Sequence, residues 1–590
     1  MIERQQLIDS LRSGEPLVVG DGTRPSPERL VSDSAGDFVV EAGLLRSVLL
    51  EVIRGKVDDV DPRGLRVRGA AIVGNLDLGL MRIPHSLSLH SCLVDGTVTL
   101  TNAEVGGWLR MTGSRLARAD AKGWSLRANG LEVDDVMALD EGFETAGGAG
   151  LGNAHVRRHL SLRRARLGKS GTHWSVLASR MQVGHGFDAD GLTTAGAVLL
   201  SASRIGTQLA LRGVRLNGAT DTGWSLVAQN LQVDSDVFLD GGFEATGAIT
   251  LHGARIAGQL GMVGARVHGR SDQGWSLDGQ DLRIGQGAFL RDGFEMAGPL
   301  NLDGAEIGGQ LSMRAARLGG HTDQGWSVNG RNLRVAHDAL LGPDLQLAGS
   351  LYLVGSRFHR LAVAAGATEP PPLANVAGWQ LGDLIGRPRT DPGCAARWLD
   401  SQTTAQPWQE LANLYDRIGQ PSDARWIRYR SAVRSARHGS RSSRVASWFS
   451  RWTTGHGYYP VRRTLTCLLA VFVIALLLSS QRTDDFTTAT TATIRQAVLD
   501  DQRVAGATNP AAVPGRVPAS AWDERWDVAQ FQPLTYALST AVPTTSSATS
   551  QPWTPRTGWL SAVLAVLRAL SWIFTALFLA GITGLLRKQT

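Results

Sequence analysis

The chain has 590 residues, 69 of them glycine, with 43% hydrophobic and 19% charged residues. The charged share is below the roughly 25% of a soluble globular chain. The apolar fraction excludes wholesale disorder, and glycines without a Gly-X-Y period exclude collagen. Cys92, Cys394 and Cys467 are too few and too scattered for a disulfide framework or a CxxC metal site. The net charge of +7 is local, because Ala424 to Arg463 holds ten arginines and no acid and leaves the rest of the chain formally at −3. A nucleic-acid role for the whole protein thereby loses its electrostatic footprint.

The N-terminus, MIERQQLIDSLRSGEP, lacks the basic and apolar regions of a secretory signal. The residues before about 460 are therefore expected in the cytoplasm, where unpaired thiols are normal. Residues 1–62 read as an N-terminal helical cap built around the apolar pattern of Val40 to Arg54.

A tripeptide then recurs as Gly123-Trp124-Ser125, His173-Trp174-Ser175, Gly223-Trp224-Ser225, Gly274-Trp275-Ser276 and Gly325-Trp326-Ser327, with Trp spacings of 50, 50, 51 and 51. Phe143, Phe243 and Phe294, each followed by a glutamate, keep the same step, and the second copy has Leu192-Thr193 there. This register is that of a structural repeat. Gly378-Trp379 reads as a worn sixth copy or as part of a terminating cap. Within a copy the apolar residues form short period-two pairs, such as Leu260 with Met262 and Leu282 with Ile284, broken by glycine-rich turns. That is strand chemistry, and strands so short need a neighbour one coil away. Residues 63–360 accordingly read as a right-handed parallel β-helix with two coils of about 25 residues in each copy of about 50. Trp124, Trp174, Trp224, Trp275, Trp326, Phe143, Phe243 and Phe294 are expected to stack inside it. A dozen coils at about 4.8 Å each give a rod roughly 55 Å long.

Residues 361–394 form a terminating linker or cap, and 395–440 a helical hairpin. Its first helix has Pro407 near the start and Gly419 at the stop, and Pro421 opens a second that runs to about His438. The hairpin is expected to cap the far end of the rod. Residues 441–463 are a basic juxtamembrane segment. Arg425, Arg428, Arg434, Arg437, Arg441, Arg444, Arg451, Arg462 and Arg463, with Trp448, Phe449 and Trp452 among them, are expected to meet anionic lipid.

Two apolar stretches follow. Residues 464–480 form the first expected transmembrane helix, 481–556 an external loop, and 559–586 an interfacial segment plus a second span from Ala569 to Leu586. Arg568 interrupts that last stretch and is expected to snorkel to the headgroups. Arginines before the first span, with Arg587 and Lys588 after the second, put both termini in the cytoplasm of a two-pass inner (plasma) membrane protein.

The series RGLRVRGAAIVGNLDL (63–78), HGARIAGQLGM (252–262) and DGAEIGGQLSM (303–313) resembles the pentapeptide-like repeat membrane proteins of high-GC bacteria. So do Gln406-Pro407-Trp408-Gln409-Glu410-Leu411-Ala412 and Gly455-His456-Gly457-Tyr458-Tyr459-Pro460, so that the resemblance covers nearly the whole chain. Members are often labelled membrane-associated oxidoreductases, and the resemblance implies a β-helix with two spans. The tryptophan in each copy departs from the family's usual small or aliphatic residue.

The residues offer little chemistry of their own. Gly184-His185-Gly186-Phe187-Asp188-Ala189 fits GxGxxA without a following helix and reads as a coil turn. Gly168-Lys169-Ser170 lacks the earlier glycine of a phosphate loop. His155 and His159 are expected to face outward with no third ligand, and Asp221, Asp272, Asp323, Glu144, Glu244 and Glu295 read as turn and surface carboxylates. Two spans with a loop suggest a pore, but the loop carries no Thr-x-Gly-Tyr-Gly filter.

The sequence reading is therefore a non-enzymatic scaffold or binding protein. Its expected partners are the anionic inner leaflet and a protein on the β-helix surface, with neither nucleic acid nor cofactor, and homo-oligomers are open. The alternatives are a membrane-associated oxidoreductase, on the family label alone, and a two-span pore.

Overall fold

A computed structural model describes residues 2–26, 38–342, 344–363, 369–437, 447–448, 450–453, 455–488, 531–542 and 553–583. The chain divides into two compact units, Met1–Ala424 and Arg425–Thr590.

The first unit is a solenoid of short parallel strands. Among the described residues it has one 25-stranded sheet, to which a full coil gives two strands, and two 13-stranded sheets. The step from rung to rung in the first sheet alternates. It is 28 residues from Leu109 to Met137, 23 from Met137 to Leu160, 27 from Leu160 to Phe187 and 22 from Phe187 to Leu209. One long and one short coil make up the Trp-to-Trp distance, so the repeat is a pair of coils. The turn leading into the first sheet is left-handed in coil after coil, mostly at Asn, Asp or Gly (Gly130, Asn153, Asn230, Gly253, Asp281, Gly304, Asn332 and Gly355), with Arg180 and Ala202 as exceptions. Asparagine and glycine tolerate that backbone best.

Coils pair because the large residues alternate with small ones. Entering the second sheet, the inward series is Phe143, Ala165, Leu192, Val214, Phe243, Ala265, Phe294 and Ala316, every one at most 2% exposed. The phenylalanines thus lie inside, each with its ring between the smaller residues of the coils above and below.

The tryptophans do not stack inside. Trp124, Trp174 and Trp326 are half-buried on the outer face of the third sheet, Trp224 is 8% exposed at the same place, and Trp275 is half-buried just before the strand Leu277–Asp278. A bulge between Trp124 and Leu126, repeated at Trp174, Trp224 and Trp326, breaks the period-two parity and turns the indole outward while the next apolar residue points in. The register partners of these tryptophans on the following rung are small residues, Gly148, Ala197, Ala248 and Ser350, and the Trp326 ring stacks on Tyr352 at 3.9 Å. At Gly148 a Cβ would come within 2.8 Å of the Trp124 ring, so the indole lies on that glycine.

Both solenoid ends are covered, as their unpaired edges require. Helices α1 (Arg4–Ser13) and α2 (Ala42–Ile53) accompany a first partial coil, in which Leu17 pairs with Val67 and Val40 with Ile72. At the other end come α3 (Arg387–Thr390), α4 (Pro392–Trp398) and α5 (Gln406–Arg417). Asp391 caps α4 by accepting from the N–H groups of Gly393 and Cys394, which holds its carboxyl below the usual range. Trp379 belongs to this cap and is not a sixth copy. It lies just before the last strand of the first sheet, is fully buried, and meets the Trp398 ring edge-on at 5.7 Å.

The second unit begins within α6 (Pro421–Arg437) and contains α7 (Pro460–Gln481), α8 (Pro533–Ala541) and α9 (Gly558–Ile582). Val461–Gln481 and Gly558–Ile582 are long and apolar enough to cross a membrane. The second stretch is one continuous helix through Arg568, rather than an interfacial piece followed by a span, because a charged side chain leaves the helical backbone bonds intact. Val471 and Ala475 of α7, Tyr536 and Ala537 of α8, and Leu560, Leu564 and Leu567 of α9 form one buried cluster. An antiparallel strand pair, Phe486–Thr488 with Trp553–Pro555, joins the chain at one end of the helices.

Candidate binding surface

The solenoid interior is filled. Its one internal void among the described cavities, about 10 Å³ lined by Phe187, Leu211 and Phe243, has no room for a ligand. Chemistry and recognition fall to the outer faces.

The five Trp-Ser motifs organise one corner. Each ends a longer loop found on alternate coils, and in four of the five a Ser, Thr or Asp four residues earlier accepts from the Trp N–H: Asp120 at 2.9 Å, Ser170 at 3.2 Å, Thr220 at 3.1 Å and Thr322 at 3.2 Å, whereas the Ser271 hydroxyl makes no such bond to Trp275. The motif serine is wholly buried. Ser225 Oγ donates to Gly218 O at 2.8 Å and accepts from Gly247 N, on the next coil, at 2.7 Å, and Ser125 and Ser327 repeat both bonds. Successive loops touch through Gly171 N to Lys122 O, Asp272 N to Thr222 O, and His173 Nε2 to Asp221 Oδ1 at 3.1 Å. The recurring serine was visible in the sequence, but its bond to the next coil was not. Gly168-Lys169-Ser170 is one of these loops, and Gly184 to Ala189 is a coil turn running into the strand Phe187–Asp188.

The outer face of the second sheet carries a charge ladder, Arg115, Glu144, Arg166, Thr193, Arg215, Glu244, Arg266, Glu295 and Arg317 on successive rungs. Glu244 meets Arg266 at 3.2 Å and Glu295 meets Arg317 at 3.3 Å. Such exposed pairs contribute about 0–1 kcal/mol each. Their role is to give a strand-rich surface alternating charge. On the first sheet, burial raises the carboxyls of Asp188 and Asp240 despite Arg212, whose Nε lies 3.3 Å from Asp240.

A recess of about 810 Å³ lies where the last coils meet α5. Exposed Arg334 and Arg357 stand on adjacent rungs, with Gln380 on the next. Arg334 pairs with Glu306 at 2.9 Å, and Arg357 makes no ion pair among the described residues. The far wall is α5, which closes the solenoid edge. Gln406 Oε1 accepts from Gly378 N at 2.8 Å, Glu410 Oε1 from Leu381 N at 3.1 Å, and Arg417 donates to Leu381 O at 2.5 Å. Gln406 and Glu410 are one helical turn apart on one face. That spacing is the signal that could have found them.

His155 is exposed on the first sheet between Glu132 and Gln182, and His159 lies 5.2 Å ring to ring from His185. Among the described residues there is no group of three or more His, Cys, Asp or Glu side chains placed to hold a metal ion.

Of the expected lipid-facing arginines, Arg425, Arg451 and Arg462 are exposed, while Arg428, Arg434 and Arg463 are half-buried. Arg437 ends α6, and Arg441 and Arg444 lie outside the described residues. Phe449 does so too, whereas Trp448 and Trp452 are exposed side by side, 6.4 Å between rings. The Tyr429 ring of α6 packs 5.7 Å from Tyr459 at the start of α7.

A scan against protein-family models and searches of curated proteins and of solved structures return no match.

Proposed function

We propose that this protein is a non-enzymatic, membrane-anchored scaffold, a right-handed parallel β-helix held on the cytoplasmic side of the inner membrane by two spans, with both termini inside. The resemblance to the pentapeptide-like repeat membrane proteins rests on the quoted motifs. The observation that carries the function is the filled interior beside an open, arginine-rimmed recess at the capped end. A coil interior with space for less than one water leaves only outward recognition. In the recess Arg334 is paired with Glu306 and Arg417 with Glu410, and Arg357, which has no ion pair among the described residues, suits an acidic group of a partner protein. Exposed Trp448 and Trp452 beside Arg451 suit the inner-leaflet interface.

The test is site-specific photocrosslinking in cells from position 357, with position 329 on the third sheet as the control. One protein captured from 357 and not from 329, and lost when Arg334→Glu is added, supports the scaffold. Purified protein carrying stoichiometric flavin or haem absorbance would overturn it in favour of a redox enzyme.

A further inference from the structure

From Glu144 to Glu295, alternate rungs of the second sheet carry a glutamate on the outer face, except at Thr193. The intact rungs show what the place between two arginines takes. Glu144 lies between Arg115 at 3.9 Å and Arg166 at 3.8 Å, and Glu295 between Arg266 at 3.9 Å and Arg317 at 3.3 Å. Thr193 holds the same register position between Arg166 and Arg215, each one rung away at about 4.8 Å. Its side chain is shorter and uncharged, and its hydroxyl makes no hydrogen bond among the described residues.

The charges around that rung do not balance. Arg24, Arg115 and Arg166 share the one carboxylate of Glu144, at 3.4, 3.9 and 3.8 Å. Glu244 gives its ion pair to Arg266 at 3.2 Å, and exposed Arg215 makes none among the described residues. Neither does exposed Lys169, which follows Gly168 in the wall of the recess and packs its Cβ over Gly196. More than one positive charge is left over. A recess of about 490 Å³ opens at this place, lined by Arg166, Thr193 and Asn217, with Glu144 and its arginines closing the other end. A phosphate dianion supplies two charges, and its oxygens suit the paired N–H groups of a guanidinium.

We propose that the Thr193 rung is a binding site for a phosphate dianion, free or as the phosphoryl group of a small ester. It is held between Arg166 and Arg215 over the Thr193 hydroxyl, with Lys169 and Asn217 at the rim. The site is distinct from the Arg357 recess at the capped end. The test is isothermal titration of the full-length protein in detergent, at low ionic strength and about pH 7.5, where a phosphate monoester is a dianion. The probes are inorganic phosphate, methyl phosphate and, as a dicarboxylate control, succinate. The expected result is one saturable site for phosphate or its ester, weakened at least about tenfold in Thr193→Glu and in Arg215→Gln and unchanged in Arg317→Gln. Tighter binding of methyl phosphate than of inorganic phosphate identifies an ester as the ligand, and the reverse order identifies free phosphate. Thr193→Glu restores the carboxylate from the chain itself and should melt no lower than the parent, so its loss of binding is not a loss of fold. No saturable binding of either phosphate, binding that survives Thr193→Glu, or succinate bound as tightly as phosphate would overturn the proposal.

Discussion

Ser225 shows how one hydroxyl ties two coils. It has no exposure, so Ser225→Ala leaves the Gly247 N–H and the Gly218 carbonyl without their partner where water does not replace it. Such a loss costs about 1–3 kcal/mol. The expected outcome is faster amide exchange at Gly247 and a lower urea midpoint, and unchanged exchange at Gly247 would refute the assignment. Cys92 makes a second residue-scale prediction. Burial pushes its thiol up to about 12. The folded state then holds the proton more firmly than the unfolded chain, whose thiol titrates near 8.5. This contribution to stability is complete below that pH and is lost as pH rises toward 12. At pH 8.5 iodoacetamide should leave Cys92 unmodified until urea unfolds the solenoid, and rapid alkylation in buffer would count against the buried placement. The sequence shows that Trp and Ser recur but not which way they face. Trp124 and Leu126 share period-two parity, and only the bulge at Ser125 sends one out and the other in.

The caps are where local sequence says least. The helical patterns of α2 and α5 are readable from apolar spacing and from Pro407 and Gly419, because those signals lie within the helix itself. What α5 does is not readable, since Gln406 and Glu410 bond to Gly378 and Leu381, 28 and 29 residues away. The double substitution Gln406→Ala, Glu410→Ala removes both acceptors and should expose the last strand, Gln380–Ile385, as an open edge. Hydrogen exchange over residues 378–385 should rise and concentration-dependent association should appear, while exchange near Leu209 stays as in the parent. Equal exchange at both places would mean that α5 is not the cap. Helix α9 marks the opposite limit of the sequence. The charge at Arg568 interrupts hydropathy, yet its backbone bonds do not depend on the side chain, and the helix runs through.

Over the whole molecule the two-coil period sets what the solenoid tolerates. Stability in such stacks is a sum over neighbouring coils, so a change that preserves every neighbour relation should be mild even when it is long. Deleting residues 209–259 removes one long and one short coil and brings Phe187 onto Leu260, as it now stacks on Leu209. Deleting residues 187–208 removes only one coil, less than half as many residues. It also removes Ala197, the small partner of Trp174, and brings the Trp174 rung directly against the Trp224 rung at about 4.8 Å. Two bulged, indole-bearing rungs then meet with no small residue between them, and the loops 168–173 and 217–223 are forced to half their present spacing. Inside the stack, Leu192 goes too, and Ala165 comes to face Val214, leaving two smaller side chains together and a void. The expected outcome is that the 51-residue deletion folds with a parent-like β-rich circular dichroism spectrum and protease resistance, whereas the 22-residue deletion is digested rapidly or aggregates. If the shorter deletion were the better tolerated, the single coil would be the repeating unit, and the alternation of Trp outside with Phe inside would have no part in holding the stack together.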